Sequence, residues 1–345
     1  MTKSFVGNYF EDFSVGMDIH HATPLTLSTG DVSLYRALTG SRFSVYSAAT
    51  IARSVGLDGL AVDPLLAFHV VFGKTVPDIS LNAVANLGYA DGRFLHPVYP
   101  GDTLRAVSKV IGVKENSSGK TGVVYVRTSG FSQNNVEVLS YVRWVMVHKK
   151  DPATPCPTVV VPSLPDSVDP TQLSFDRQYE DWDDTLSGSR DRFDDYAIGE
   201  RINHVDGMTV EEAEHQTATR LYQNTAKVHF DGHSQQQSRF GKRLIYGGVV
   251  ISIARALSFN GLANAQEILA INGGTHAGPL FAGDTVYAWS EVLDKVEISA
   301  TIGALRMRLV AVKDQDPGLF ALKDAAGKYQ DGVCLDFDIW VAIPR

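Results

Sequence analysis

The chain repeats itself. "YFEDFSVGMDI" begins at Tyr9 and "RFDDYAIGERI" at Arg192, so Asp12 matches Asp195 and Gly16 matches Gly199, both at an offset of 183 residues. Further on, "RFLHPVYPGDTLRAVSKV" from Arg93 matches "THAGPLFAGDTVYAWSEV" from Thr275, laying Gly101-Asp102-Thr103 over Gly283-Asp284-Thr285 at an offset of 182. Two separated blocks at nearly one offset read as a tandem duplication, which limits the fold to one unit used twice. The length of 345 residues agrees, since a domain takes about 150. The join is marked by six prolines between residues 151 and 170. Proline fixes φ and has no amide donor, so this stretch is expected to run extended. The expected halves are residues 1–150 and 187–345, with a linker over 151–186.

Each half reads alike. "DTLRAVSKVIGVKE", "KTGVVYVRTSGFS" and "VEVLSYVRWVMVHK" alternate apolar and polar residues and are rich in Val and Tyr, as half-buried strands are. "NSSG" and "SQNN" supply turn chemistry between them. A helical segment comes earlier in each half, after Tyr46 in the first and from Gly247 in the second. One helix followed by long antiparallel strands is an α+β unit with its sheet wrapped around the helix. Phe10, Phe13, Phe193 and Tyr196 read as core, and Gly101-Asp102 and Gly283-Asp284, present in both halves, as turns.

The halves differ in one segment. "YQNTAKVHFDGHSQQQSRFGKRLIYGG" from Tyr222 holds His229, Asp231 and His233; its counterpart from Leu38 is muted, with Tyr46 at the place of His229 and Ser41 at that of Asn224. An imidazole titrates near neutral pH without help, which makes His229 the first acid–base candidate. The bland alternative is a satisfied structural histidine, yet Tyr46 shows that the fold does not demand imidazole there. Asp231 reads better as a helix N-cap than as a catalyst, and His233 as a surface or packing residue.

Composition excludes several classes. With 44% hydrophobic and 20% charged residues the chain reads as an ordinary globular protein. A net charge of −8 without a Lys/Arg block argues against a nucleic-acid partner. No apolar run is long enough to span a bilayer, and the N-terminus lacks a signal core, so a cytoplasmic location is expected. Cys156 and Cys334 are too few for a disulfide framework or a zinc site, and no metal is expected.

The segment 223–231, followed by Phe240-Gly241 and Tyr246-Gly247, resembles the active motif of the MaoC-like, or hydratase-2, hot dog family: Gly-Asp-x-Asn-Pro-x-His-x-Asp, then Phe-Gly and His-Gly. Within that family, "LLAFHVVFGKTVPDISLNAVANLGYADGRFLHPVYPGDTL" resembles the mesaconyl-CoA hydratases. The resemblance implies a tandem, or double, hot dog fold, α+β, its two helix-wrapped antiparallel sheets related by a pseudo-twofold axis. It implies reversible hydration of an enoyl-CoA thioester, foremost mesaconyl-CoA to β-methylmalyl-CoA. Cofactors are not called for, CoA being part of the substrate. It assigns acid–base work to His229 and places the Gly247 amide against the thioester oxygen. Asn224 stands where the family has an aspartate. An amide cannot be a base, but it can hold a water or the imidazole, so His229 carries both proton transfers or another carboxylate, with Glu214 the remote candidate, assists. A mesaconyl group also has a free carboxylate that needs a cation. Lys227, in place of the family proline, is favoured over Arg220 and Arg42. The muted half is expected to shape a tunnel and hold the CoA tail, leaving one active site per chain, and the chain is expected to form a homodimer or higher homo-oligomer. The alternatives are a broader enoyl-CoA hydratase, an acyl-CoA thioesterase and a non-enzymatic acyl-CoA binder.

Overall fold

The computed structural model describes residues 3–156, 158–173 and 175–345. The alternating segments become long strands. The first half supplies β1 (Asp18–Thr26), β2 (Ala83–Phe94), β3 (Thr103–Glu115), β4 (Thr121–Phe131) and β5 (Glu137–His148). The second supplies β6 (Arg201–Thr209), β7 (Glu267–Thr275), β8 (Thr285–Glu297), β9 (Ile302–Lys313) and β10 (Val333–Pro344). They form a single sheet of ten strands in the order β1-β3-β4-β5-β2-β7-β10-β9-β8-β6. Replacing each strand by its repeat reverses the order, so a pseudo-twofold axis runs through the middle. The seam is antiparallel, with Tyr89 facing Gly274 and Arg93 facing Ala270. Each half thereby covers the open edge that the other would expose. The architecture is α+β, two hot dog sheets made continuous.

Features present in both halves hold the frame together. His21 Nε2 lies 2.8 Å from Ser108 Oγ, and its repeat His204 lies 2.8 Å from Ser290 Oγ, tying each outer strand to its neighbour. The Gly-Asp pairs are turns, as expected. Gly101 and Gly283 have φ of +104° and +94°, which favours glycine, and Asp102 and Asp284 accept from the amides of Tyr99 and Phe281.

The first-half helix is not where the pattern after Tyr46 put it. Residues there form only two short pieces, Ser44–Ser47 and Ala49–Ser54. The long helix is Pro64–Thr75, which begins 183 residues before Gly247–Leu257 of the second half. Its side chains from Leu65 to Thr75 are all buried, so it lacks the one-sided stripe by which surface helices are recognised. Its start is chemically marked: Asp63 accepts from the amide of Leu65 at 2.8 Å, and Pro64 occupies the first helical position. Each long helix packs on its own half's strands, and the two meet across the axis, where His69 Nε2 lies 2.9 Å from Ser252 Oγ.

The proline-rich linker is extended but not free. Val160 bridges to Val113, while Val168, Tyr179 and Trp182 are buried, and the Trp340 indole donates to the Val168 carbonyl at 3.2 Å. Among the described residues no helix is long and apolar enough to cross a membrane, and no group of three or more His, Cys, Asp or Glu is placed to hold a metal ion.

Candidate active site

Gln223 takes a left-handed conformation, φ +53°, and turns the chain sharply at the end of the helix Glu212–Leu221. Asn224 is buried directly after it, and its Oδ1 accepts from the Ala226 amide at 3.1 Å. That turn launches the short helical piece Lys227–Phe230, which carries His229. The His229 Nδ1 lies 2.9 Å from the Leu244 carbonyl oxygen. A carbonyl only accepts, so Nδ1 carries the proton and Nε2 of the neutral ring is bare. Burial pushes the pKa of His229 down to about 4, only partly offset by that hydrogen bond. At neutral pH it is therefore an unprotonated base with its orientation set by Leu244. Asn224 Oδ1 is committed to the turn, and no hydrogen bond joins Asn224 to His229 among the described residues.

His229 opens onto a cavity of about 480 Å³ near the seam, whose wall also includes Asn224, Gly247, His276, Tyr89 and Arg143. That wall carries no Asp or Glu among the described residues. Glu214 is exposed and caps its own helix, so the helping carboxylate allowed for above is not there. A second imidazole takes its place. His276 follows β7 and lies 3.2 Å from the Tyr89 hydroxyl through Nε2, with burial and the nearby His229 pushing its pKa down to about 4. Gly247 is the first residue of its helix, where an amide has no carbonyl one turn back to bond. A Cβ there would collide with the His276 ring, so the position needs glycine.

The related place in the first half differs at each point. Tyr46 replaces His229 and donates to Glu267 Oε2 at 2.9 Å. Phe94 replaces His276, and Pro64, which has no N–H, replaces Gly247. Asp63 caps the next amide, whereas its counterpart Tyr246 makes no side-chain cap. A cavity of about 430 Å³ persists there, but linker residues Phe175 and Arg177 line it, and Arg177 pairs with Glu267 at 3.4 Å.

Other expected site residues lie apart. Lys227 is exposed and absent from the cavity wall: it projects from a helical turn whose inner side presents Val228 and His229. Arg220 is exposed, and Arg42, also exposed, pairs with Asp206 at 3.3 Å. Asp231 caps the turn Gly232–Gln235 through the Ser234 amide at 3.1 Å, and this hydrogen bond holds its carboxyl below the usual range. His233 is exposed. Sequence reasoning missed His276, Tyr89, Tyr246 and Arg143. For His276 a signal existed: within a matched block it faces Phe94, the same kind of asymmetry that singled out His229.

Residues 2–326 match the family model described as mesaconyl-CoA hydratase. The chain is 56% identical over 347 aligned residues to a β-methylmalyl-CoA dehydratase of Chloroflexus aurantiacus, covering 99% of each. It is 58% identical to a mesaconyl-CoA hydratase of Cereibacter sphaeroides, covering 99% of this chain and 100% of that protein. A crystal structure of a MaoC domain dehydratase from C. aurantiacus superposes with a TM-score of 0.98 at 56% identity, covering 100% of this chain and 99% of that one. A Mycobacterium tuberculosis protein with a double hotdog fold, 24% identical, has a TM-score of 0.76 over 98% of this chain and 99% of its own, a likeness of fold alone. With its duplicated sheet and a family match over nearly its whole length, this chain belongs to the mesaconyl-CoA hydratase family.

Proposed function

We propose that the protein adds water reversibly across the double bond of mesaconyl-CoA, giving β-methylmalyl-CoA, with one active site per chain. The observation that carries the chemistry is His229, its Nδ1 held by the Leu244 carbonyl and its Nε2 bare, sharing with Gly247 a cavity wall that has no Asp or Glu among the described residues. The family match and the names of the two relatives support the choice of substrate.

The thioester draws electrons from the double bond and makes the β-carbon electrophilic. The Asn224 NH2, which makes no hydrogen bond among the described residues while its Oδ1 accepts from Ala226, places the water. His229 Nε2 takes a proton as the water oxygen bonds to the β-carbon. The electron pair of the double bond moves onto the thioester oxygen, where the Gly247 amide meets the new charge. The α-carbon then takes a proton from His229, the group that has just gained one, and the thioester carbonyl re-forms. Nothing is oxidised or reduced. In this reading the first half closes the sheet and shapes the substrate tunnel, and the chain works as a homo-oligomer.

Incubation with mesaconyl-CoA tests the reading. Loss of enoyl-thioester absorbance without release of thiol is the expected outcome. Release of free thiol would assign hydrolysis instead, and no change would leave an acyl-CoA binder or another substrate.

A further inference from the structure

Arg143, on β5, is fully buried and lies on the wall of the active-site cavity. Its Nη2 donates to Thr75 Oγ1 at 2.7 Å and Ser80 Oγ at 2.9 Å, and its guanidinium stacks on Phe72 at 4.2 Å. Those contacts fix the group in place. Among the described residues its Nε and Nη1 have no partner, and no Asp or Glu pairs with it. A buried cation with spare N–H donors and no counter-ion is costly in a folded protein. The fold does not require it. Tyr89 of β2 pairs with Arg143, while its repeat Ile271 of β7 pairs with Ile339. The related position is thus an isoleucine, and the cation exists only on the side that has the histidine. Tyr246 stands between the two: its ring lies 5.5 Å from His229 on one side and 5.5 Å from Phe72 on the other, and its hydroxyl also lacks a partner.

We infer that Arg143, with the Tyr246 hydroxyl, receives the free carboxylate of the substrate and makes the enzyme selective for dicarboxylic acyl-CoA esters. The inference rests on the proposed reaction and replaces Lys227 in this role. It also fits the chemistry. In β-methylmalyl-CoA the free carboxylate and the new hydroxyl share one carbon, so the anion sits beside the carbon that water attacks. An unpaired anion there would repel the incoming oxygen. Paired with a fixed guanidinium, it both anchors the acyl group and stops opposing the attack.

The test compares two substrates. (E)-2-Methylbut-2-enoyl-CoA carries a methyl group where mesaconyl-CoA carries the carboxylate. The wild-type enzyme is expected to prefer mesaconyl-CoA in kcat/KM by a factor of about a hundred or more, the scale of a desolvated charge pair. R143M should lower kcat/KM for mesaconyl-CoA by about a thousandfold and change that for the methyl analogue less than about fivefold. R143K, which keeps the charge, should recover part of the loss. Equal losses on both substrates would make Arg143 a purely structural residue, and a wild type indifferent to the carboxylate would overturn the inference whether or not the variants fold. Calorimetric binding of both thioesters separates the two readings. If mesaconyl-CoA binds better through Arg143 but does not turn over, the carboxylate site stands and the hydration falls. If both bind equally, the site falls.

Discussion

At the residue scale the proposed division of labour between the two halves rests on a few side chains, and it can be tested one at a time. His229→Ala should cut kcat by about a hundredfold or more, the range of a positioned acid–base group. Tyr46→Phe should leave kcat nearly unchanged, because Tyr46 spends its hydroxyl on Glu267 and that carboxylate also has Tyr179 and Arg177. Equal damage from both would end the view of one armed half. Asn224→Asp probes the electrostatics. The burial that lowers His229 to about 4 should place the acid limb of the hydration profile near that pH. A carboxylate at position 224 would favour the imidazolium and raise the pKa of His229. Since the base must be neutral to act, the limb should move to higher pH, with activity lost earlier on acidification. An unmoved limb would mean that His229 is not the titrating base.

At the element scale the two long helices begin in opposite ways, and that contrast decides what each can do. The first starts Asp63-Pro64, which satisfies or removes its leading amides. The second starts Tyr246-Gly247, which leaves the leading amide without a side-chain cap. Asp63→Ala should therefore cost stability, about 1–2 kcal/mol for a lost cap, with kcat preserved, and Asp63→Asn should restore most of it. Gly247→Ala should do the reverse. Its Cβ would push His276 aside on the cavity wall, so a fall in kcat of about a hundredfold is expected, readable against a smaller change in Tm. A Gly247→Ala variant with full activity would mean that the reaction tolerates a displaced His276.

Over the whole molecule, burial sets the response to acid. His204, His229 and His276 are pushed down to about 4, and His69 and His215 to about 3, each chiefly by desolvation. In the unfolded chain a histidine titrates near 6.5, so between about pH 6.5 and 4 the unfolded state binds protons that the native state refuses. Stability must then fall as pH falls through that window, by up to about 1.4 kcal/mol per pH unit for each such histidine. Asp63, raised to about 6 by burial, and Glu267, also raised, act in the opposite sense, since the native state holds their protons to higher pH. Five groups oppose two. Urea unfolding should therefore show a net loss of at least about 2 kcal/mol between pH 6.5 and 5. A flat or rising stability would mean that these imidazoles are not held neutral in the fold.

Much of this was legible in the chain itself, because a duplication supplies its own control. The repeat implied the twofold sheet; alternation and turn residues located β3, β4 and β5 almost to their ends. The mismatch of Tyr46 with His229 is what proposes the second half as the working one, and Asp231 was readable as a cap because capping is a local interaction. What escaped was whatever depends on contacts between distant segments. The helix Pro64–Thr75 is buried all round, so no periodicity betrays it. Lys227 is near His229 in sequence yet faces solvent, whereas Arg143 is 86 residues away from it and shares its cavity. A strand sends alternate side chains to opposite faces, and only the pairing of Tyr89 with Arg143 across β2 and β5 decides which face that guanidinium joins. The linker's buried Tyr179 and Trp182 tell the same story. Local chemistry is written along the chain, but the lack of a partner for a buried charge is a property of the packed interior, and it exists only once the strands have met.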